Sequence, residues 1–372
     1  MCCWRKDFEM NNRNQLWILL ILGAIISLFA AANSDAKQTH QIRYHYVELG
    51  TLGGDYSWTT GINNWGQVVG VSELGNGAYR GFLWTAQNKK MKNLGSLDDD
   101  LISSTWAIND TGLVVGFSLG LDSQRQAILW DDKGMHPLET LGGTDSDALG
   151  INRHGTIVGY SLTSENLYRA AVWDSDGVSA LDTPEGLESW AWSINTKGDI
   201  VGAFITSGIY LRAVVWSKKG VRELGTLGGD ESEAFSINDK GDAVGWCSLP
   251  ENLGWHACLW DRNGDILDLG TAGGLNSAAY SINEHGQVVG AYFPGDSLDV
   301  TRAFIWSKKD GMRDLETLAD LPEDVSLASA NSINDFGWIA GTTVGDTACL
   351  LIPYKSDKDV GHHKPHFHHH CR

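Results

Sequence analysis

Along residues 42–353 short apolar runs alternate with clusters of Gly, Asn, Asp and Ser, and no apolar pattern keeps a helical period over ten residues. Residues 221–265 show the unit. Four β-type segments, VRELG, SEAFSIN, DAVGWCS and HACLW, are each bounded by turn-forming residues, which predicts strands joined by short turns. Within SEAFSIN the small Ser232, Ala234 and Ser236 alternate with the bulkier Glu233, Phe235 and Ile237, and Ser57 to Ile62 repeats the alternation. A thin face and a bulky face suit a sheet packed between two others.

The unit recurs seven times, with Ile-Asn pairs beginning at 62, 108, 151, 194, 237, 282 and 333. Four strands per period of about 45 residues is the pattern of a propeller blade. The chain is therefore expected to be all-β, a seven-bladed β-propeller of four-stranded blades over 42–353; a β-solenoid of the same units is the alternative. HYVELG (45–50) matches the outer segment of the other repeats, and the seventh repeat ends at CLLIP. The first segment is thus expected to supply the last blade's outer strand and hide both terminal edges.

Asn-x-x-Gly joins two strands in every copy, as a type I turn wants, so the seven Asn are read as turn closure and not as a ligand ring. The second Gly of each copy, Gly70 in the first, lies inside a strand, where it implies a close backbone or ring contact. Six copies end their third strand in Trp (84, 130, 173, 216, 260, 306), which reads as packing between sheets.

Charge narrows the partners. The formal net charge is −18, and it is unchanged without residues 1–36, since Arg5, Lys6 and Arg13 balance Asp7, Glu9 and Asp35. Such a surface repels phosphate backbones and anionic lipid, so nucleic acid is not an expected partner. The apolar run LWILLILGAIISLFAAA (16–32), preceded by Arg5, Lys6 and Arg13, reads residues 1–36 as a signal peptide or N-terminal membrane anchor. Either way the repeats are expected to be exported, secreted, periplasmic or at the cell surface, with membrane contact only through that segment. Cys258 and Cys349 align with Phe82, Ile128, Ala171, Val214 and Phe304, so both are read as buried thiols serving as small apolar side chains. A Cys247–Cys258 bridge is the alternative, but a simple hairpin would aim the two at opposite faces.

The segments LGTLGGDYS with GINNWGQVVGVS, and LGTLGGDES with SINDKGDAVG, resemble the bacterial extracellular HAF repeat family, and the resemblance covers all seven units. The His-Ala-Phe triplet itself is nowhere intact; HAC (256–258) and RAF (302–304) come nearest. The resemblance implies an exported repeat protein without an established activity.

Candidate chemistry lies where the repeats differ. Five residues before each Asn stand Trp58, Ser104, Asp147, Trp190, Glu233, Ala278 and Ser329, a varied position beside constrained ones. Trp58, Asp147, Trp190 and Glu233 are therefore the expected ligand-binding rim, with Asp145, Glu188, Glu231 and Asn276 two residues further out. Asp147 and Glu233 are also the pair that would serve acid/base hydrolysis. No nucleophile elbow, phosphate-cradling loop or zinc spacing appears within the repeats, and no catalytic residue is assigned. DRNGD (261–265) and DSDG (174–177) read as hairpin turns, not calcium loops. The segment 354–372 reads as a flexible His-rich tail, in which His362, His363, His366, His368, His369 and His370 are metal-ligand candidates for weak transition-metal binding; no other cofactor is implied. The sequence is consistent with an exported binding scaffold for an extracellular glycan or protein, with a propeller enzyme acting on polysaccharide or a purely structural surface protein as alternatives.

Overall fold

A computed structural model describes residues 41–97, 101–183, 187–295 and 300–356; the apolar N-terminal segment and the His-rich tail lie outside them. Arg43–Tyr354 form one compact unit. Among the described residues there is no α-helix, only strands and two short 3₁₀ turns.

Six blades follow chain order, each with four antiparallel strands. Blade 5 is representative, with strands Ser232–Ile237, Ala243–Ser248, Trp255–Trp260 and Ile266–Gly270. Blades 1 and 2 share one sheet through a single parallel bridge, Tyr79 to Ile102. Blade 7 has three strands of its own, Leu327–Ile333, Ile339–Thr343 and Ala348–Ser356, and its fourth is the N-terminal strand Gln41–Gly50. The closure is a sheet shared by both ends of the array, and it excludes the solenoid.

One irregularity recurs in all seven inner strands. The residue three before the Asn is skipped by the pairing: Ala234 faces Gly245 and Ser236 faces Val244, leaving Phe235 as a β-bulge. The same offset isolates Thr60, Trp106, Leu149, Trp192, Tyr280 and Asn331. A bulge re-aims its side chain, and here the seven side chains line the central channel. The bulge also explains the strand glycines. A Cβ at Gly70, Gly116, Gly159, Gly202, Gly245, Gly290 or Gly341 would collide with the carbonyl oxygen five before the Asn in its own blade. The seven close contacts expected from the sequence are therefore with backbone.

Two fastenings hold neighbouring blades. Each Asn side chain accepts the amide N–H groups two and four residues on, closing its own turn, as with Lys240 and Asp242 on Asn238 at 3.0 Å each. Its Nδ2 then donates to the backbone carbonyl of the Asn in the next blade: Asn63 to Asn109, and so on through Asn283 to Asn334, at 3.0–3.3 Å. Asn334 completes the circle on the carbonyl of Asn63 at 3.0 Å. The Asn are thus turn closers and blade staples together. The second fastening is a Ser six residues before the Asn, which accepts an N–H from the preceding blade's third strand, as with Ala213 on Ser232 at 3.1 Å. Blade 7 lacks it: the residue six before Asn334 is Ala328, skipped by a second bulge, and Leu327 takes the paired place opposite Thr343, buried in the core with Leu315 and Ala303.

The six third-strand Trp are buried, from 0% exposed at Trp260 to 8% at Trp306, in the apolar layers between sheets. Truncating such a ring costs about 3–5 kcal/mol. The disulfide expectation is corrected. Cys247 and Cys258 are bonded, with Cα atoms 6.2 Å apart. Cys247 pairs with His256, two residues from Cys258, so the two sulfurs share a face as diagonal neighbours. The connection 249–254, with its 3₁₀ turn at Pro250–Asn252, is even in length, and an even connection pairs odd- with even-numbered residues and so brings the two Cys to one face. Cys349 is a free, buried thiol, as its alignment with apolar residues implies.

Candidate functional site

The channel has two ends. At the turn end a chamber of about 390 Å³ is lined by the Ile-Asn pairs and by the residues after them. The acidic ones among those following residues are spoken for: Asp110, Asp239, Glu284 and Asp335 accept the N–H groups of Asn64, Thr196, Asp239 and Glu284 at 2.6–3.0 Å. Next to it lies a chamber of about 250 Å³ lined by the bulged side chains. Its wall is aromatic from Trp106 through Trp192, Phe235 and Tyr280, interrupted by Leu149, and polar at Asn331 and Thr60. Trp192 meets Phe235 edge-on at 5.7 Å, and Phe235 meets Tyr280 at 6.1 Å. Burial raises the Tyr280 hydroxyl pKa, and the Thr60 Oγ1 is buried without a hydrogen-bond partner.

Beyond these rings, toward the strand starts, stand the four rim candidates. Trp58 is 36% exposed, and its ring lies 5.5 Å from that of Tyr79, with Tyr56 exposed on the same strand. Trp190 and Glu233 are half-buried. Asp147 is sealed at 0% exposure.

The two carboxylates are built alike. Each faces an aromatic residue across its own blade, Asp147 opposite Tyr160 and Glu233 opposite Trp246. Each also accepts an indole N–H from the bulge of the preceding blade: Trp106 Nε1 lies 3.2 Å from Asp147 Oδ2, and Trp192 Nε1 lies 2.8 Å from Glu233 Oε1. The bulged indoles thus connect the channel wall to the carboxylates behind it.

They differ in what else they meet. Glu233 receives a second indole, Trp246 Nε1 at 3.2 Å from Oε2, so both oxygens are satisfied by neutral donors. Burial holds its carboxyl pKa above the ordinary carboxylate value, against the two indole bonds. Asp147 meets Arg125 Nη1 at 3.5 Å, and that guanidinium also donates to the Tyr160 hydroxyl at 2.9 Å and covers the Phe117 ring at 4.8 Å. Its other oxygen, Oδ1, has no partner. Desolvation pushes the Asp147 pKa up to about 7, with Arg125 opposing.

Asp147 and Glu233 lie in blades 3 and 5 with Trp190 of blade 4 between them, and they share no hydrogen-bond partner. Of the outer set, Asp145 and Asn276 accept the N–H of Arg125 and Trp255 at 3.4 and 2.9 Å, and the Glu188 and Glu231 carbonyls accept the N–H of Ile205 and Ser248 at 2.9 Å. The bulged aromatics, Arg125, Tyr160 and Trp246 are not among the residues singled out from sequence. The available signal is a position three before the Asn that carries Trp, Trp, Phe and Tyr in different copies. The acidic turns DRNGD and DSDG are hairpin closures: Asp261 accepts the N–H of Asn263 and Asp265, and Asp174 that of Asp176. Among the described residues no group of three His, Cys, Asp or Glu could hold a metal ion.

No family model matches the chain and no curated protein matches its sequence. Among solved structures it is similar to the β-propeller domain of the Trilobed protease from Pyrococcus furiosus, with TM-score 0.54 and 8% identity over 82% of this chain and 100% of that one. It is also similar to a puromycin hydrolase, with TM-score 0.51 and 12% identity over 78% of this chain and 50% of that one. TolB from Acinetobacter baumannii aligns at TM-score 0.44 and 15% identity, over 74% and 76% of the two chains. At these identities the likeness is one of fold, and the fold is the β-propeller.

Proposed function

We propose that the protein is an exported binding module whose strand-start mouth takes a polyhydroxylated ligand, a glycan. One observation carries this reading: Trp58 presents an exposed indole beside Tyr79 and Tyr56, and equivalent positions in blades 3, 4 and 5 hold Asp147, Trp190 and Glu233. Flat rings take the apolar faces of sugars; Asp147 is sealed and both Glu233 oxygens are bonded to indoles, so the rings carry the contact. Export is supported by the apolar segment at 16–32, by the HAF-like units, and by the Cys247–Cys258 bridge, a bond that persists in oxidising compartments.

The test is a glycan array probed with the full chain, followed by reducing-end measurement on every sugar retained. Retention that is lost in Trp58→Ala and Trp190→Ala, without new reducing ends, is the expected result; retention by neither wild type nor variants ends the glycan reading. A second reading has its own support. Asp147, with a pKa of about 7, has the protonation balance a general acid/base needs, and it would meet substrate only if the Arg125 side chain beside it swings aside, since it is sealed at 0% exposure. New reducing ends that disappear in Asp147→Asn would replace the binding module with a hydrolase.

A further inference from the structure

In a chain of net charge −18, one groove has the opposite sign. Between blades 4 and 5, on the side of the disc that carries the Asn turns, a groove of about 960 Å³ is lined by Lys197, Lys218, Lys219, Arg222, Lys240 and Arg262. Asp199 is the one acidic residue in its lining. All six cations are exposed, and none stands within salt-bridge distance of a carboxylate among the described residues. Lys197 and Lys240 donate instead to the carbonyls of Asp239 and Glu284, and Arg222 to those of Asn263 and Arg262. Carbonyl contacts direct these side chains without neutralising them.

The repeat frame shows how local this is. Lys197 and Lys240 stand two residues after the Asn, where the other blades carry Trp65, Thr111, His154, His285 and Phe336. Lys218, Lys219 and Arg262 belong to the turns that follow the third-strand Trp, where blade 3 has Ser175 and Asp176. Blade 6 carries Lys308 and Lys309 in that turn, but its own Asn turn has Glu284 and His285. Blades 2 and 3 offer single cations at the matching places, Lys133 and Arg153, whereas the blade 4–5 groove collects six from inner and outer turns together, which sets them in a row from near the channel outward.

We propose that this groove binds a linear anionic saccharide, its sulfate or carboxylate groups spaced along the row. The acidic surface outside the groove repels a long polyanion that extends over it, while a short one seated in the groove meets chiefly the local positive field. The lining offers Ser217 and Asn263 for sugar hydroxyls, and its apolar members Val215, Val221 and Ile237 are half-buried or buried, so no exposed apolar anchor for a peptide is present. The surface lies across the disc from the strand-start mouth and stands independently of the function proposed there.

The experiment titrates the full chain with three probes: a heparin-derived hexasaccharide, hexagalacturonate, and uncharged maltohexaose. One or both anionic probes are expected to bind, more weakly as salt rises, and maltohexaose not to bind there; which anion binds separates a sulfated from a uronate ligand. Reversing Lys218, Lys219, Arg222 and Arg262 to Glu should weaken binding by at least about tenfold. Lys308→Glu with Lys309→Glu, the same turn in blade 6, and Trp58→Ala should leave it unchanged. Since all the altered side chains are exposed, melting temperatures confirm that the variants fold. Absence of binding by both anionic probes, equal weakening by the blade 6 pair, or equally tight binding of hexaglutamate through the same four residues would overturn the proposal.

Discussion

Asp147 and Glu233 occupy the same place in blades 3 and 5, on backbones with the same bulge and the same glycine opposite, and each takes an indole from the blade before. What surrounds them differs. Glu233 sits between two neutral indoles that satisfy both oxygens, whereas Asp147 has a half-exposed guanidinium on one oxygen and nothing on the other. The repeat thus sets where a carboxylate goes, and the non-repeating neighbours set how readily it holds its charge. An unpaired oxygen on a buried acid favours the protonated form, since a proton costs less there than an unsolvated charge.

The largest contrast should appear in the pH dependence of stability. Asp147 binds its proton more tightly in the folded chain, with a pKa near 7 against an ordinary value of 3.8. Its contribution to stability is complete below 3.8 and is lost as pH rises through 7. Between pH 4 and 8 the wild type should therefore lose on the order of 4 kcal/mol relative to Asp147→Asn. Glu233→Gln should show the same sign with a smaller change. Denaturant midpoints across that range check both, and identical slopes in wild type and Asp147→Asn would remove the distinction between the two stations.

The next test asks whether the backbones are as equivalent as the registers suggest. Gly159→Ala and Gly245→Ala should each cost about 3 kcal/mol, because the added methyl meets a carbonyl oxygen that the bulge holds in place. Equal losses in thermal melts support a shared frame; a loss at one site alone would mean that the bulges differ. Arg125→Leu follows, at about 2 kcal/mol at pH 8 and much less at pH 5, where Asp147 carries its proton. The smallest effect belongs to Trp192→Phe, about 1 kcal/mol, because Trp246 still donates to Glu233. A loss as large as that of Arg125→Leu would show that the two indoles do not share the load.

Much of this architecture is legible in the residues because a seven-fold repeat reports its own constraints. The Asn turn, the buried Trp, the strand glycines and the need for a borrowed outer strand all follow from what recurs. The site is legible only in part. A varied position can be located by counting back from the Asn, but counting treats Asp147 and Trp58 alike, and one is sealed while the other is open. The bulge three before the Asn shifts which side chains face the channel, and alternation along a strand carries no mark of it. Arg125 and Tyr160 reach Asp147 from another blade and another strand, a neighbourhood that only the folded register creates. Cys247 and Cys258 make the same point, since one residue of loop parity decides whether they face each other.

The circle of Asn staples has a directional sense: every amide points to the next blade, and the last points to the first. Seen this way the protein is a head-to-tail ring assembly written on one chain, with the closing rotation of a cyclic heptamer. In a true heptamer every subunit must change together, so no sector could become acidic, aromatic or basic alone. Tethering the seven units in one polypeptide keeps the closed geometry and releases that constraint, which is how a single ring can carry a guanidinium-bound acid in one sector, an indole-bound acid in another, and a cationic groove between two of its blades.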